Sequence, residues 1–448
     1  MSDSEAQYDA VIVGGGTGGV PAAIAAARNG SNVLLIEKNG FLGGLASGGL
    51  MSAWPHWLAR HSWEDPKEPY VEGIYAETLE RLDKLGALAL DRHNWDDEML
   101  KYVLEEMCLE SGVKLLLHSF AFRVSKDGRY VTSVEIANKS GAMSVSGRVF
   151  IDGTGDGDLI SLAGARWQGG READGATQPM SLTFRLGGVD CAKVPKYSPT
   201  HYILSLYWAE PRDMPDDVAA IHKEYLAAQK RGEITNPRGE LLWWHHFRPG
   251  VIHFNTTRIQ HLDATKAEDR TKAEIEGKRQ VVETLRFLKR FSGFENAYLI
   301  KMSNEVGVRE TRRIVGEYTL TEEDVLGGRK FEDGVARGHG PVDIHDPTQS
   351  TSTMIYCPDY TSYDIPYRCL LPRDLDNVLV ASRCISATHE AFGSVRMVPQ
   401  IFAIGEAAGT AAALACKQGV PCKRLDVGLL RSILREQGAS VWEEGMPG

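Results

Sequence analysis

The chain has 448 residues, 43% of them hydrophobic and 25% charged, with 50 basic against 60 acidic side chains and a formal charge of −10. That length predicts two or three domains, and that balance is typical of soluble globular proteins, which excludes a disordered chain, a coiled coil and a collagen-like repeat. A net acidic chain also lacks the overall charge of a nucleic-acid binder.

Residues 1–7 are polar, with no basic stretch leading into an apolar one, so no signal peptide is expected. No run of about eighteen apolar residues suggests a membrane span. Seven cysteines, odd in number and without a Cys-x-x-Cys pair, fit a reducing cytoplasm and argue against a disulfide scaffold or zinc site. Glycine is the outlier, with 46 residues clustered at 14–16, 18–19, 43–44 and 48–49. Such clusters bring backbone close to something, because only glycine tolerates positive φ freely and leaves the main chain bare.

Asp9 to Val13 is an apolar, β-branched run with the length of a buried strand. It leads directly into Gly14-Gly15-Gly16-Thr17-Gly18-Gly19, which satisfies G-x-G-x-x-G at Gly14, Gly16 and Gly19. Pro21 and the alanines from Ala22 to Ala27 predict a helix, Gly30 its C-terminal cap, and Val33 to Ile36 a second strand ending at Glu37. In that arrangement Gly14 makes the turn, Gly16 lets backbone meet a pyrophosphate, and Gly19 lets helix and strand pack. The helix N-terminus faces the phosphates and Glu37 accepts from a ribose 2′-OH. Strand, glycines, helix, strand and acid in this order predict a dinucleotide site. Thr17, Gly18 and Lys38 belong to the same candidate set.

A second glycine stretch, Asn39 to Gly49, contains Gly43, Gly44 and Ser47. Further on, Val113 to Val124 predicts a strand with Ala121 and Phe122 near its end. Val145 to Asp152 predicts another, which runs into Asp152-Gly153-Thr154-Gly155-Asp156-Gly157-Asp158. Calcium is the alternative reading of those three aspartates, but the loop lacks the x5-Glu ending of an EF-hand, and no metal is expected.

Ala267 to Phe291 predicts an amphipathic helix. Asn377 to Ala381 predicts a strand, followed by Ser382 to Arg396 and then by a helix opening at Met397-Val398-Pro399. Its small residues, Gly405 to Ala413, imply close approach either to a cofactor or to the first glycine loop. The N-terminus of that helix is suited to negative charge on a bound group.

These segments resemble the FAD-dependent oxidoreductases, glutathione-reductase-like flavoproteins related to the fumarate reductase flavoprotein superfamily. The resemblance rests on Gly307-Val308-Arg309-Glu310-Thr311-Arg312-Arg313-Ile314 and Ile385-Ser386-Ala387-Thr388-His389-Glu390-Ala391. It also rests on His253 to Arg258 and Ile365-Pro366-Tyr367-Arg368, and covers roughly Tyr8 to Gln418. It implies FAD as cofactor. Gly43, Gly44 and Ser47 would run under the pyrophosphate and ribityl chain, Phe122 would lie near the adenine, and Thr154 and Gly155 would supply backbone contacts. Arg383, Met397 and Val398 would sit at the cofactor. Succinate-oxidising relatives attach FAD through a His in the loop that corresponds to Leu42–Gly49. Leu42 stands at that position here, so non-covalent FAD is expected, with His56 the only nearby alternative.

The expected fold is α/β. A Rossmann-like FAD-binding domain, discontinuous over 1–50, 100–165 and 365–435, carries a mixed α+β substrate-binding cap of 51–99 and 166–364. Residues 436–448 form a tail. The cap is rich in aromatics and histidine, with Trp54, His56, Trp57, His61, Trp63, His93, Trp208, Trp243, Trp244, His245 and His246. The paired tryptophans suit either a stacked ring or a core contact. No internal repeat is evident.

No second G-x-G-x-x-G follows another strand, so electrons are expected to enter from the substrate or from an unidentified donor or acceptor. His389 is the favoured proton-transfer group because it precedes the helix expected at the flavin, with His253 second and Tyr367 third. Arg309, Arg312 and Arg313 suit a carboxylate clamp or a structural ion-pair set with Glu305, Glu310 and Glu317, while Arg396 and Arg383 are the cofactor-side arginines. The leading expectation is hydride transfer between flavin N5 and a carbon of a small polar, hydroxyl- or carboxyl-bearing molecule. C=C reduction of the fumarate-reductase type is second. A tRNA-modifying flavoprotein and a flavin-containing sensor follow. Neither nucleic acid nor membrane is an expected partner, and homo-oligomerisation is open.

Overall fold

A computed structural model of the chain describes residues 7–51, 70–89, 94–204, 212–357 and 361–443. Trp54, His56, Trp57, His61, Trp63, His93 and Trp208 lie outside the described residues.

The first strand, β1 (Tyr8–Val13), is followed by α1 (Gly19–Arg28) and β2 (Val33–Ile36). The apolar run of β1 becomes fully buried from Ala10 onward, as expected of a strand covered on both faces. Pro21 sits in the first turn of α1. Gly30, at φ 90°, closes the helix with its N–H on the Ala27 carbonyl at 2.9 Å.

After α2 (Ile74–Lys84) comes α3 (Asp97–Glu110), capped by Asp96, whose carboxylate accepts from the N–H groups of Glu98 and Met99. The next strands are β3 (Lys114–Leu116), β4 (Phe120–Asp127), β5 (Tyr130–Asn138) and β6 (Gly141–Asp152). Strands β3, β2, β1, β6 and a late strand, Val378–Val380, lie side by side and parallel. The outer half of β6 continues with β5 and β4 into an antiparallel meander. The single strand expected over Val113–Val124 is therefore two strands in two settings, separated by a turn in which His118 adopts φ 51°.

The helix Val398–Gln418 packs across α1, as its composition requires. A Cβ on Gly405 would lie 2.2 Å from the Gly18 carbonyl oxygen, and one on Gly409 would lie 2.1 Å from that of Ala22. The small residues serve contact with α1 and the first glycine loop. This helix is 21 residues long with a mean hydropathy of 1.2 over its best window, enough by length and composition to cross a membrane, yet 89% of that window is buried inside the protein. It is a core helix, and an apolar stretch of this length was not anticipated from the sequence.

A second core surrounds a four-stranded antiparallel sheet ordered Tyr298–Met302, Phe184–Gly187, Ile252–Phe254 and Trp243–His245. The helices Asp216–Lys230 and Ala267–Leu288 close it, through Tyr225, Val281 and Phe287 among others. Trp243 is fully buried there, with its indole N–H on the Pro195 carbonyl.

The packing divides the chain differently from the expected boundaries. Ile74, Tyr75 and Leu82, and Ile314, Val335 and Tyr363, all join the first core. Only the apolar residues between Met180 and Val308 build the second. All seven cysteines are free thiols, and six of them are buried.

Candidate functional site

A long cleft runs from the first glycine loop, between the two cores, to the strand Val342–His345. At one end it is lined by Gly14, Gly16, Thr17, Gly18, Glu37 and Lys38, and by the second glycine loop from Gly153 to Asp156.

The glycines there differ in what they do. Gly14 has φ 101°, and a Cβ on it would lie 2.7 Å from Gly153 backbone. A Cβ on Gly18 would meet the Ala381 carbonyl oxygen at 1.7 Å, and one on Gly19 the Gly14 oxygen at 1.8 Å. These three serve the protein's own packing. At Gly16 the nearest atom to an added Cβ is the Gly153 oxygen, 3.7 Å away, and the backbone is not left-handed. Nothing in the folded chain requires glycine at that position, so the bare surface is left for a ligand. A dinucleotide pyrophosphate fits it.

Glu37 accepts from the N–H groups of Gly15 and Asn39 at 2.7 and 2.8 Å, while burial raises its carboxyl pKa. Asp152 holds the second loop, accepting from Thr154 N–H and hydroxyl and from Ile160 N–H, and burial lifts it to about 7. Burial also works against ionising Asp156, but Arg383 at 2.7 Å and Arg270 at 3.3 Å overcome it and hold its pKa low. Arg270 and Lys38 both reach Glu305, which completes a chain of ion pairs along the rim. The three aspartates of the loop are thus bound to backbone amides and arginines, and Asp158 pairs with Arg312. Among the described residues no His, Cys, Asp or Glu cluster is arranged to hold a metal ion.

Several expected contacts support the cleft without lining it. Gly43, at φ 96°, ties its loop to the Gly15 carbonyl, and the Ser47 hydroxyl donates to Leu42 O. Gly44, Leu45 and Gly49 of that loop do face the cleft. Phe122 does not. Ser119, Phe120 and Ala121, one to three residues earlier, form the wall there, and Arg123 covers the Phe122 ring.

At the far end Met397, Val398 and Pro399 present the N-terminus of the core helix. Opposite stand Thr200, Arg238, Asn255, Arg309, Asp343, His345 and Ser352, with apolar walls from Leu204, Leu242 and Met354. Arg396 pairs with Asp343 at 2.8 Å. The same carboxylate oxygen, Asp343 Oδ2, lies 3.4 Å from His345 Nε2, and His345 Nδ1 lies 2.9 Å from the Ser352 hydroxyl. Burial, reinforced by Arg309, pushes His345 down to about 3, so the ring is neutral near pH 7. Burial disfavours the Asp343 anion too, but His345, Arg396 and Arg309 around it hold its pKa well below the ordinary carboxylate range.

The favoured proton-transfer residues lie elsewhere. His389, at the start of a short helix, turns its Nδ1 to Glu310 at 2.9 Å, in a buried knot with Arg313, and does not line the cleft. His253 is sealed in the second core beside Trp244, with Arg185 Nε 3.4 Å from its Nδ1, and burial lowers its pKa far below the usual value. Asn255, just past the end of that strand, is the residue that reaches the cleft. Tyr367 donates its hydroxyl to the Cys422 carbonyl at 3.0 Å in the first core. The arginine cluster splits: Arg312 and Arg313 make structural ion pairs, and Arg309 alone enters the cleft. Asp343, His345 and Arg238 were not anticipated. The alternation Val342-Asp343-Ile344-His345, which places the acid and the histidine on one face of a strand, was the available signal.

A family model described as FAD dependent oxidoreductase matches residues 9–434. The chain belongs to this family. FAD is therefore its cofactor, and the protein is an oxidoreductase. A 4-oxocyclohexanecarboxylate 2-dehydrogenase from Sinomonas cyclohexanicum is 35% identical over 104 residues, 22% of this chain and 18% of that protein. A nicotine dehydrogenase from Pseudomonas putida is 36% identical over 88 residues, 17% of each. The chain thus spans less than a fifth of either curated relative. Among solved structures, a geranylgeranyl bacteriochlorophyll reductase-like protein from Thermoplasma acidophilum aligns over 96% of this chain and 83% of its own, with 14% identity and a TM-score of 0.46.

Proposed function

We propose that this FAD-dependent oxidoreductase moves a hydride between the cofactor and a carbon of a small polar molecule bound at the end of the cleft formed by Asn255, Arg309, Asp343 and His345. The observation that carries this reading is the continuity of the cleft. One end has the bare Gly16 surface and Glu37, and the other has a neutral buried histidine among polar side chains. Two partial relatives are named dehydrogenases, which supports hydride transfer.

When bound, FAD supplies the two-electron redox chemistry. Gly16 backbone would face its pyrophosphate, Glu37 its ribose, and Val398 at the helix N-terminus its ring. Leu42 at the position of the attaching His favours FAD held without a covalent bond.

His345 manages the proton. Its Nε2 faces Asp343, so the proton would be taken at Nδ1, from a substrate hydroxyl or ammonium by way of the Ser352 hydroxyl 2.9 Å away. Asp343 lies at the other side of the developing imidazolium and stabilises it, while Arg396 fixes Asp343 in place. Leu204, Leu242 and Met354 give this end apolar walls. The seven free cysteines suit a reducing compartment.

The test is His345→Gln in FAD-loaded protein. A positioned base contributes about 10²- to 10⁴-fold, so flavin reduction by substrate should slow by that order while FAD affinity stays unchanged. A His345→Gln protein as fast as wild type, with His389→Gln slowed instead, would return the role to His389.

A further inference from the structure

The charges at the inner end of the cleft do not balance. Three arginines and one carboxylate line it: Arg238, Arg309, Arg396 and Asp343. Arg238 is satisfied by Glu240 at 3.1 Å and by the Asn255 carbonyl at 2.9 Å. Arg396 has Asp343. Arg309 donates only to neutral oxygens, the Pro179 carbonyl at 2.6 Å and the Ser181 hydroxyl at 2.8 Å. No carboxylate among the described residues lies within ion-pair distance of it.

Burial, with Arg396 adding to it, drives the Arg309 pKa well below its usual value. A guanidinium does not release its proton readily, so among the arginines that line this end of the cleft Arg309 alone carries a positive charge with no carboxylate paired to it. Asn255, which lines the same cleft, is 5% exposed and its Oδ1 has no hydrogen-bond partner. A half-buried cation and a buried amide, both lining one cavity and both open to a further partner, describe the negative image of a ligand.

We infer that the substrate is a monocarboxylate, its carboxylate paired with Arg309 and a neighbouring polar group met by Asn255. This rests on the reading of the cleft as the substrate site. The count of charges sets the valence. One uncompensated arginine neutralises one carboxylate, and a second carboxylate at this end would stand beside Asp343 without a partner. The walls of Leu204, Leu242 and Met354 accept an apolar body.

The experiment uses FAD-loaded full-length protein with acetate, benzoate, benzamide and succinate as probes. Binding is read from perturbation of the flavin's visible absorbance and from the thermal midpoint. Acetate or benzoate should bind saturably, and benzamide and succinate at least about tenfold more weakly, the scale of a lost charge-assisted contact. Arg309→Met should abolish the preference for benzoate over benzamide without changing FAD affinity, and Arg309→Lys should keep part of it. Equal binding of benzoate and benzamide, no binding of any carboxylate, or an unchanged preference in Arg309→Met overturns the inference. The comparison of probes on wild-type protein stands even if Arg309→Met fails to fold. Failure to take up FAD would sink the proposed function instead, and the melting shift by benzoate in FAD-free protein still reads the anion site.

Discussion

Replacing Gly16 by alanine separates a glycine kept for the cofactor from glycines kept for the fold. Its added methyl would have the Gly153 oxygen as nearest neighbour at 3.7 Å, an ordinary contact, and the backbone there is open to any residue. The FAD-free protein should therefore tolerate Gly16→Ala and gain about 0.4–1 kcal/mol, because alanine narrows the unfolded chain. In the FAD complex the same methyl stands where backbone must approach the pyrophosphate. Overfilling a packed site costs about 1–3 kcal/mol, which corresponds to a loss of affinity of about 5- to 150-fold. Gly18→Ala is the control, since its methyl would sit 1.7 Å from the Ala381 oxygen and should unfold the protein with or without FAD. The assays are thermal melting of the FAD-free proteins and titration with FAD followed by flavin fluorescence. FAD affinity in Gly16→Ala equal to wild type would refute the reasoning. So would a FAD-free protein as damaged as Gly18→Ala.

Three further outcomes follow from buried groups and from the loop Leu42–Gly49. Glu406 accepts from Ile74 N–H at 3.1 Å, and burial lifts its carboxyl to about 7. A carboxyl pKa raised in the folded state means that its stability contribution is full below the unfolded value of about 4.3 and is lost as pH rises through about 7. Glu406→Gln should therefore raise the melting temperature at alkaline pH, by up to about 3 kcal/mol in stability, and have little effect in acid. Tyr367→Phe should cost about 0.5–1.5 kcal/mol of stability, through the lost bond to Cys422 O, and leave turnover unchanged. Acid precipitation of the yellow protein should release all flavin to the supernatant, and a yellow pellet would establish a covalent bond.

What the sequence made legible was local. The strand, turn and helix from Tyr8 to Arg28, the cap at Gly30 and the acid at Glu37 depend on neighbours within a few residues, so spacing alone specifies them. The glycine roles followed for the same reason: the turn at Gly14 and the packing at Gly19 are short-range contacts. The far end of the cleft was legible only in part: Arg309 and Arg396 stand out in their motifs, whereas Asn255, Asp343 and His345 join them only in the folded chain. His389 was drawn toward the flavin by its place in the chain just before the core helix. The direction of its side chain is decided instead by Glu310, 79 positions away. Ile314 and Tyr363 read as cap by position and find their apolar neighbours in the first core, through contacts that span most of the chain.

The central claim is that one cleft holds FAD at one end and a substrate that exchanges electrons with it at the other. The most direct measurement is anaerobic mixing of FAD-reconstituted protein with a panel of hydroxy and amino monocarboxylates, followed by flavin absorbance. The account predicts stoichiometric FAD uptake and bleaching by at least one member of the panel, slowed in His345→Gln. Absence of FAD uptake, or bleaching that is unaffected by both His345→Gln and Arg309→Met, would contradict it.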